Sequence, residues 1–210
     1  MKNCWWFLTS VFLFLITLTQ IASAAGGYVA LQTADPSCPD DSGNVYVDCG
    51  NGTVTDNRTG LVWLKNANCL SLAANGGYAD WISAMLLAAG LSDLPGDDAD
   101  DCGLSDNSTP GEWRLPSKAE WAAMIEDALG DIGDPNCTIT PPTITNDSGL
   151  GCWLSGPSSF TDVEEGFYWS STTFVWFPSG IWGVSLESGT FGNNHKDSEL
   201  GYIWPVRGGQ

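Results

Sequence analysis

The segment Gly111-Glu112-Trp113-Arg114-Leu115-Pro116-Ser117-Lys118-Ala119-Glu120-Trp121 constrains the fold of this chain more than any other. Pro116 has no backbone N–H and pushes Leu115 toward extended geometry, so an extended segment stops there. Ser117 then stands at an N-cap position with Glu120 three residues on. This is the pattern of a capping box, in which each side chain accepts a hydrogen bond from the other's free backbone N–H. Trp121, Ile125 and Leu129 follow at i, i+4 and i+8, so the spacing predicts a helix from Lys118 to about Leu129.

Residues 1–24 read as a processing segment. Lys2 supplies the positive start, Trp5 to Ile21 are mostly apolar, and Ala22-Ser23-Ala24 is an A-x-A cleavage site. An uncleaved anchor is the other reading, but the run sits near the lower length limit for a bilayer span and its small-residue exit favours cleavage. No second span is visible. Removing Lys2 with the leader leaves six Lys and Arg against 25 Asp and Glu, a formal charge of −19. Such a surface repels nucleic acid, anionic lipid and sulfated glycans unless metal ions intervene.

Six cysteines remain after Cys4 is set aside: Cys38, Cys49, Cys69, Cys102, Cys137 and Cys152. An even count in an exported chain reads as three disulfides, with fifteen pairings open. A zinc site is the rival, but no C-x-x-C is present and His195 is the sole histidine.

Residues 25–43 form an N-terminal arm with a turn-rich end at Asp35 to Ser42, and residues 44–210 form the domain. Strands are expected at Asn44–Val47, Thr53–Thr55 and Leu61–Leu64, separated by the turn signals Asn51-Gly52 and Thr59-Gly60. A first helix is expected from Tyr78 to Ala89, with Tyr78, Trp81, Ile82, Met85, Leu86 and Ala89 as one core-facing stripe ended by Gly90. Residues 130–165 have no period, and a Cys137–Cys152 bridge is expected to pin them. Later strands are expected at Phe167–Ser171, Phe174–Phe177, Ile181–Leu186 and Tyr202–Val206, with Pro178-Ser179-Gly180 as a hairpin turn. The pattern is α+β, and a first strand pairing with the last would bring the chain ends together.

Six segments stand in one order: Asn51 to Trp63, Asn68-Cys69, Cys102 to Asp106, Trp113-Arg114-Leu115-Pro116, Tyr168 to Thr172 and Trp204-Pro205-Val206-Arg207. This series resembles the Lcl C-terminal domain family, a bacterial extracellular module named for the end domain of the Legionella collagen-like adhesin. The resemblance spans roughly residues 44–208. It implies a C-type-lectin-like fold, distantly similar to that of the formylglycine-generating enzymes, and exported proteins mostly without an assigned activity. In the named adhesin the domain trimerises and binds glycosaminoglycans. This chain departs from it in having no Gly-X-Y stalk and in its acidity. The resemblance also implies a Cys69–Cys102 bridge; with that pair taken, nearness along the chain adds Cys38–Cys49 and Cys137–Cys152.

Arg114-Leu115-Pro116 followed by Glu120-Trp121 also resembles a segment of the formylglycine-generating enzymes. No cysteine follows Cys152, so their reactive pair has no match and their activity is not carried over. Arg114 and Arg207 read as structural arginines whose planar forks hold neighbouring loops. Asp97, Asp98, Asp100 and Asp101 give four carboxylates in five residues, between Asp93 and Asp106. A charge run is by default a solvated loop; the alternative is a calcium site, built from carboxylates and carbonyls on a flexible loop but without EF-hand spacing. His195 lies in an Asn/Gly-rich context that reads as a surface loop, with no nucleophile elbow anywhere in the chain. Paired carboxylates suited to glycoside hydrolysis are not singled out among 25 acids.

Nine tryptophans remain in the mature chain, most expected in the core. A sugar-binding face needs exposed rings beside polar groups; Trp176, Phe177 and Trp182, flanking the expected hairpin, are the candidates. The leading expectation is a secreted, periplasmic or cell-surface binding or adhesion module without catalysis, with a glycan or surface protein as partner. A structural subunit that packs against copies of itself is the second reading, and a divergent glycan-active enzyme the third.

Overall fold

The computed structural model describes residues 38, 39, 41, 43–73, 78–93, 102–197 and 200–208. The fold is α+β with two antiparallel sheets. The first sheet holds β1 (Tyr46–Asp48), β2 (Thr53–Asp56), β3 (Leu61–Leu64) and β7 (Val206–Gly208), in the order β1-β2-β3-β7. Tight turns link its first three strands. At Gly52 φ is +84° and at Gly60 +70°, a left-handed region that a side chain enters only with strain. The second sheet is β4 (Phe167–Thr173), β5 (Gly180–Ser185) and β6 (Thr190–His195), in that order.

The last strand does not pair with the first. Trp63 lies opposite Val206 and Val62 opposite Arg207, so β7 adds to β3, and β1 lies at the opposite edge. Other strand expectations fail too: of Tyr202–Val206 only Val206 lies in a strand, β7. Phe174 to Phe177 is not a strand but the connection between β4 and β5. The sequence Thr190-Phe191-Gly192-Asn193-Asn194-His195, whose Gly and Asn gave no strand signal, forms all of β6, so His195 sits on a strand and not in a loop.

Three α-helices are described: α1 (Cys69–Ala73), which the sequence did not announce, α2 (Trp81–Gly90) and α3 (Lys118–Ile125). At α3 the capping box forms as expected. Ser117 Oγ accepts from the Glu120 N–H at 3.2 Å, and Glu120 Oε2 accepts from the Ser117 N–H at 2.7 Å. Trp121, Met124 and Ile125 are buried, and a 3₁₀ turn at Glu126–Ala128 continues the helix; Leu129 beyond it is exposed.

Helix α2 opens at Asp80, whose Oδ1 accepts from the Ser83 N–H at 3.0 Å. Its buried face is not the expected stripe. Ala84 and Ala88 are fully buried, Trp81, Met85 and Leu87 pack half-buried against the core, and Tyr78, Ile82, Leu86 and Ala89 face solvent. Small side chains let the helix approach closely, so the buried face is turned toward Ala84 and Ala88 and keeps only Trp81 and Met85 of the expected stripe.

The core is an aromatic cluster between the sheets and α3. Trp63, Trp121 and Trp204 meet with ring centroids 5.2–5.8 Å apart, and Phe160, Tyr168 and Tyr46 extend the cluster. Such pairs add about 0.5–1.5 kcal/mol each beyond area burial. Buried indoles also donate to backbone: Trp121 Nε1 to Trp169 O at 3.1 Å, Trp169 Nε1 to Ala79 O at 2.8 Å and Trp204 Nε1 to Leu64 O at 2.8 Å. Three disulfides, Cys38–Cys49, Cys69–Cys102 and Cys137–Cys152, hold the loops, in the pairing expected. Among the described residues no helix is long and apolar enough to cross a membrane.

Candidate functional site

Sheet two carries the most exposed aromatic group of the described molecule. From Gly166 to Leu186, between Glu165 and Glu187, no residue is charged, in a chain whose net charge is −18. Aromatic and β-branched residues dominate this stretch and suit a hairpin. The connection is closed by backbone bonds: Phe177 N–H to Phe174 O at 3.1 Å, Gly180 N–H to Phe177 O and Phe174 N–H to Gly180 O, both at 2.8 Å. These turns leave Val175 81 % exposed, Trp176 87 % and Phe177 57 %. Five other tryptophans, Trp63, Trp113, Trp121, Trp169 and Trp204, are essentially inaccessible. Leaving a large ring in water forfeits about 1.5–3 kcal/mol that burial would supply.

The structure thus brings Trp176 and Phe177 together at one tip. Trp182 lies behind them on β5 and is half-buried. Phe174 meets it edge-on at 5.0 Å, and the Lys118 amine sits 3.4 Å from its ring centroid.

The positive charges divide into two sets. Arg58 is buried against Asp56 at 3.2 Å and Asp127 at 2.6 Å, and it donates to the Tyr46 hydroxyl at 2.7 Å. Burial works against its charge, but Tyr46, Asp56 and Asp127 outweigh burial and hold it protonated beyond the usual arginine range. Burial pushes the Tyr46 hydroxyl well up, with Arg58 partly opposing. Lys65 pairs with Asp48. Arg114 grips Glu120 through two bonds of 2.8 and 2.7 Å and reaches Gly208 O at 3.1 Å. Burial disfavours the Glu120 carboxylate, yet Arg114 and the Ser117 N–H more than offset it and hold its pKa below the usual range. Arg207 pairs with Asp106 at 3.0 Å and lies 5.3 Å from the Trp113 ring centroid.

Lys118 and Lys196 form the second set. Among the described residues neither has a carboxylate within ion-pair distance; their amines lie over rings, Lys118 on Trp182 and Lys196 at 5.9 Å from the Trp81 centroid. Both backbones adjoin the hairpin. The Lys118 N–H donates to Thr172 Oγ1 at 2.9 Å, and the Lys196 N–H donates to Ser179 O at 3.0 Å.

Asp97, Asp98, Asp100 and Asp101 lie outside the described residues. Of their neighbours, Asp93 Oδ2 accepts from the Asn107 N–H at 2.7 Å, and Asp106 accepts from the Ser108 N–H and hydroxyl. Among the described residues no three His, Cys, Asp or Glu side chains converge to hold a metal. On β6, His195 Nδ1 accepts from the Asp197 N–H at 3.3 Å. An open depression of about 240 Å³ is lined by Val62, Glu112, Arg207 and Gly208; its guanidinium is already paired with Asp106.

Sequence reasoning missed Val175, Lys118 and Lys196 as parts of the site. The signal available was the uncharged run from 166 to 186, which stands out only against the acidity of the rest.

Residues 52–207 match the family model described as Lcl C-terminal domain. No curated protein matches the chain.

Proposed function

Because the chain belongs to the Lcl C-terminal domain family, whose domains are extracellular, we propose that it is an exported, non-catalytic binding module whose contact surface is the β4–β5 tip. The observation that carries this reading is the pair Trp176 and Phe177, held in water by a tight, uncharged turn while Trp63, Trp113, Trp121, Trp169 and Trp204 are buried in the core. Exposed aromatic groups of this kind are contact anchors, because they bring large area at little cost in conformational entropy. Three disulfides and the leader-like residues 1–24 support export. Two antiparallel sheets, α2 and α3 against them, and long bridged loops support a C-type-lectin-like reading of the fold.

The test is binding of the oxidised mature protein to immobilised cell-envelope fractions and to a glycan array, compared with Trp176→Ala/Phe177→Ala. Retention of wild-type protein, reduced at least about tenfold in the variant, is expected from the loss of two anchors. Equal retention of both proteins would overturn the reading.

A structural subunit is the second reading, favoured by α2. That helix, Trp81-Ile82-Ser83-Ala84-Met85-Leu86-Leu87-Ala88-Ala89-Gly90, carries no charge, and it exposes Ile82 and Leu86 beside Tyr78. If copies pack through this face, light scattering shows an oligomer that Leu86→Glu reduces to monomer.

A further inference from the structure

We infer that the β4–β5 tip is a membrane-interface wedge whose occupant is the headgroup layer of a zwitterionic phospholipid bilayer. This inference rests on the binding-module reading and names its partner.

Three observations select lipid. First, the tip is wholly apolar: Phe174-Val175-Trp176-Phe177-Pro178 contains no side chain that hydrogen-bonds except the Trp176 indole N–H. A sugar site stacks a ring and also fixes its hydroxyls with convergent polar groups. The five tip residues themselves supply no such set, and among the described residues Trp176 and Phe177 make no ring contact with each other that would form a stacking platform. Second, the chemistry of the tip matches the layered interface of a bilayer. An indole is favoured at headgroup level, and Val and Phe are favoured slightly deeper. Third, the charges are arranged for it. Lys118 and Lys196, the two lysines without a carboxylate partner among the described residues, adjoin the two sides of the tip through Thr172 and Ser179. Their amines lie over aromatic rings, which leave the charge intact, and the flexible lysine stem lets each amine turn from its ring to a phosphate when a headgroup layer is present. The hairpin brings no carboxylate between residues 166 and 186 into the headgroup layer. The acidity of the remaining chain, net −18, opposes an anionic surface at longer range, so the preferred bilayer has no net charge.

The test is flotation of the oxidised mature chain with phosphatidylcholine vesicles and with phosphatidylcholine–phosphatidylglycerol vesicles. Wild-type protein is expected to float with the first and less with the second. Trp176→Ser/Phe177→Ser, at surface positions that leave the core untouched, is expected to lower the partition coefficient at least about tenfold. Trp176→Phe is expected to keep most of the binding, and Lys118→Gln/Lys196→Gln to lower it several-fold. The circular-dichroism spectrum of each variant reports that the fold is retained. Flotation of the double serine variant equal to wild type would overturn the inference, as would absence of wild-type protein from the phosphatidylcholine fraction. Tip-dependent binding on the glycan array without flotation would sink this inference and leave the binding-module reading standing. Loss of both signals would sink both.

Discussion

At the scale of single residues, Glu120 carries more than its place in a helix suggests. Its carboxylate closes the capping box with Ser117 and holds the Arg114 fork, which in turn reaches Gly208 at the end of β7. One side chain therefore ties the start of α3 to the edge of the first sheet. Glu120→Gln keeps the shape and loses the charge, and is expected to cost about 1–2 kcal/mol at neutral pH. Because the folded-state pKa of Glu120 lies below its unfolded value, its stabilisation is present above that unfolded value, about pH 4.3. It is lost as pH falls through the lower folded value. Urea midpoints for wild type and variant should therefore converge on acidification; a gap that stays constant to pH 3 would contradict this. Gly52 is a second such residue. It has φ +84°, and an added Cβ would fall on the Gly103 carbonyl oxygen, which belongs to backbone and cannot swing aside. Gly52→Ala is expected to cost at least about 2 kcal/mol by the same measurement, through strain and overlap together.

At the scale of elements, the bridges and the chain between them set what loops can do. In the chain-entropy account a bridge stabilises more as the loop it closes lengthens. The separations are 33 for Cys69–Cys102, 15 for Cys137–Cys152 and 11 for Cys38–Cys49. Paired Cys→Ala replacement is therefore expected to cost about 4, 3 and 3 kcal/mol respectively, with the first the largest. Denaturant unfolding of the three variants checks the order, and a larger loss at Cys38–Cys49 than at Cys69–Cys102 would contradict it. The elements that were legible in the sequence are those whose signals are local. The α3 cap is written in Ser117 and Glu120, and the β2–β3 turn in Thr59-Gly60. What was not legible depends on partners far away. Strand β6 forms from Gly192, Asn193 and Asn194 because β5 offers an unpaired edge, so tertiary pairing overrides poor intrinsic preference. Helix α2 turns only Trp81 and Met85 of its hydrophobic stripe to the core because Ala84 and Ala88 seat it closely, and alanine barely registers in such a stripe. The tip at Phe174–Phe177 looked like a strand because its aromatic residues resemble core. Only the turn bonds that close onto Gly180 show that Trp176 and Phe177 are left outside.

At the scale of the whole molecule, the charge is distributed unevenly in a way no single element reveals. The stretch 166–186 is neutral while the chain carries −18, so the other residues bear the self-repulsion. Net charge of this size destabilises the compact state, and salt relieves it. Thermal stability is therefore expected to rise with sodium chloride from low ionic strength. The two readings of Asp97, Asp98, Asp100 and Asp101 part at this point. If the run is simply charged and solvated, calcium chloride matched in ionic strength stabilises by general screening and weak accumulation, rising gradually without a plateau. If the run ligates calcium, stabilisation follows a binding isotherm that saturates at low calcium and is reversed by chelator. The described flanks support the first: Asp93 and Asp106 are already committed to Asn107, Ser108 and Arg207. Calcium titration of the melting temperature at fixed ionic strength is thus expected to show no low-concentration plateau. Replacing the four aspartates by asparagine is expected to raise stability at low salt and to leave it nearly unchanged at high salt, because the replacement removes only repulsion that salt already screens. A quadruple variant that is less stable than wild type only when calcium is present would reverse that conclusion and make the acidic run a metal site.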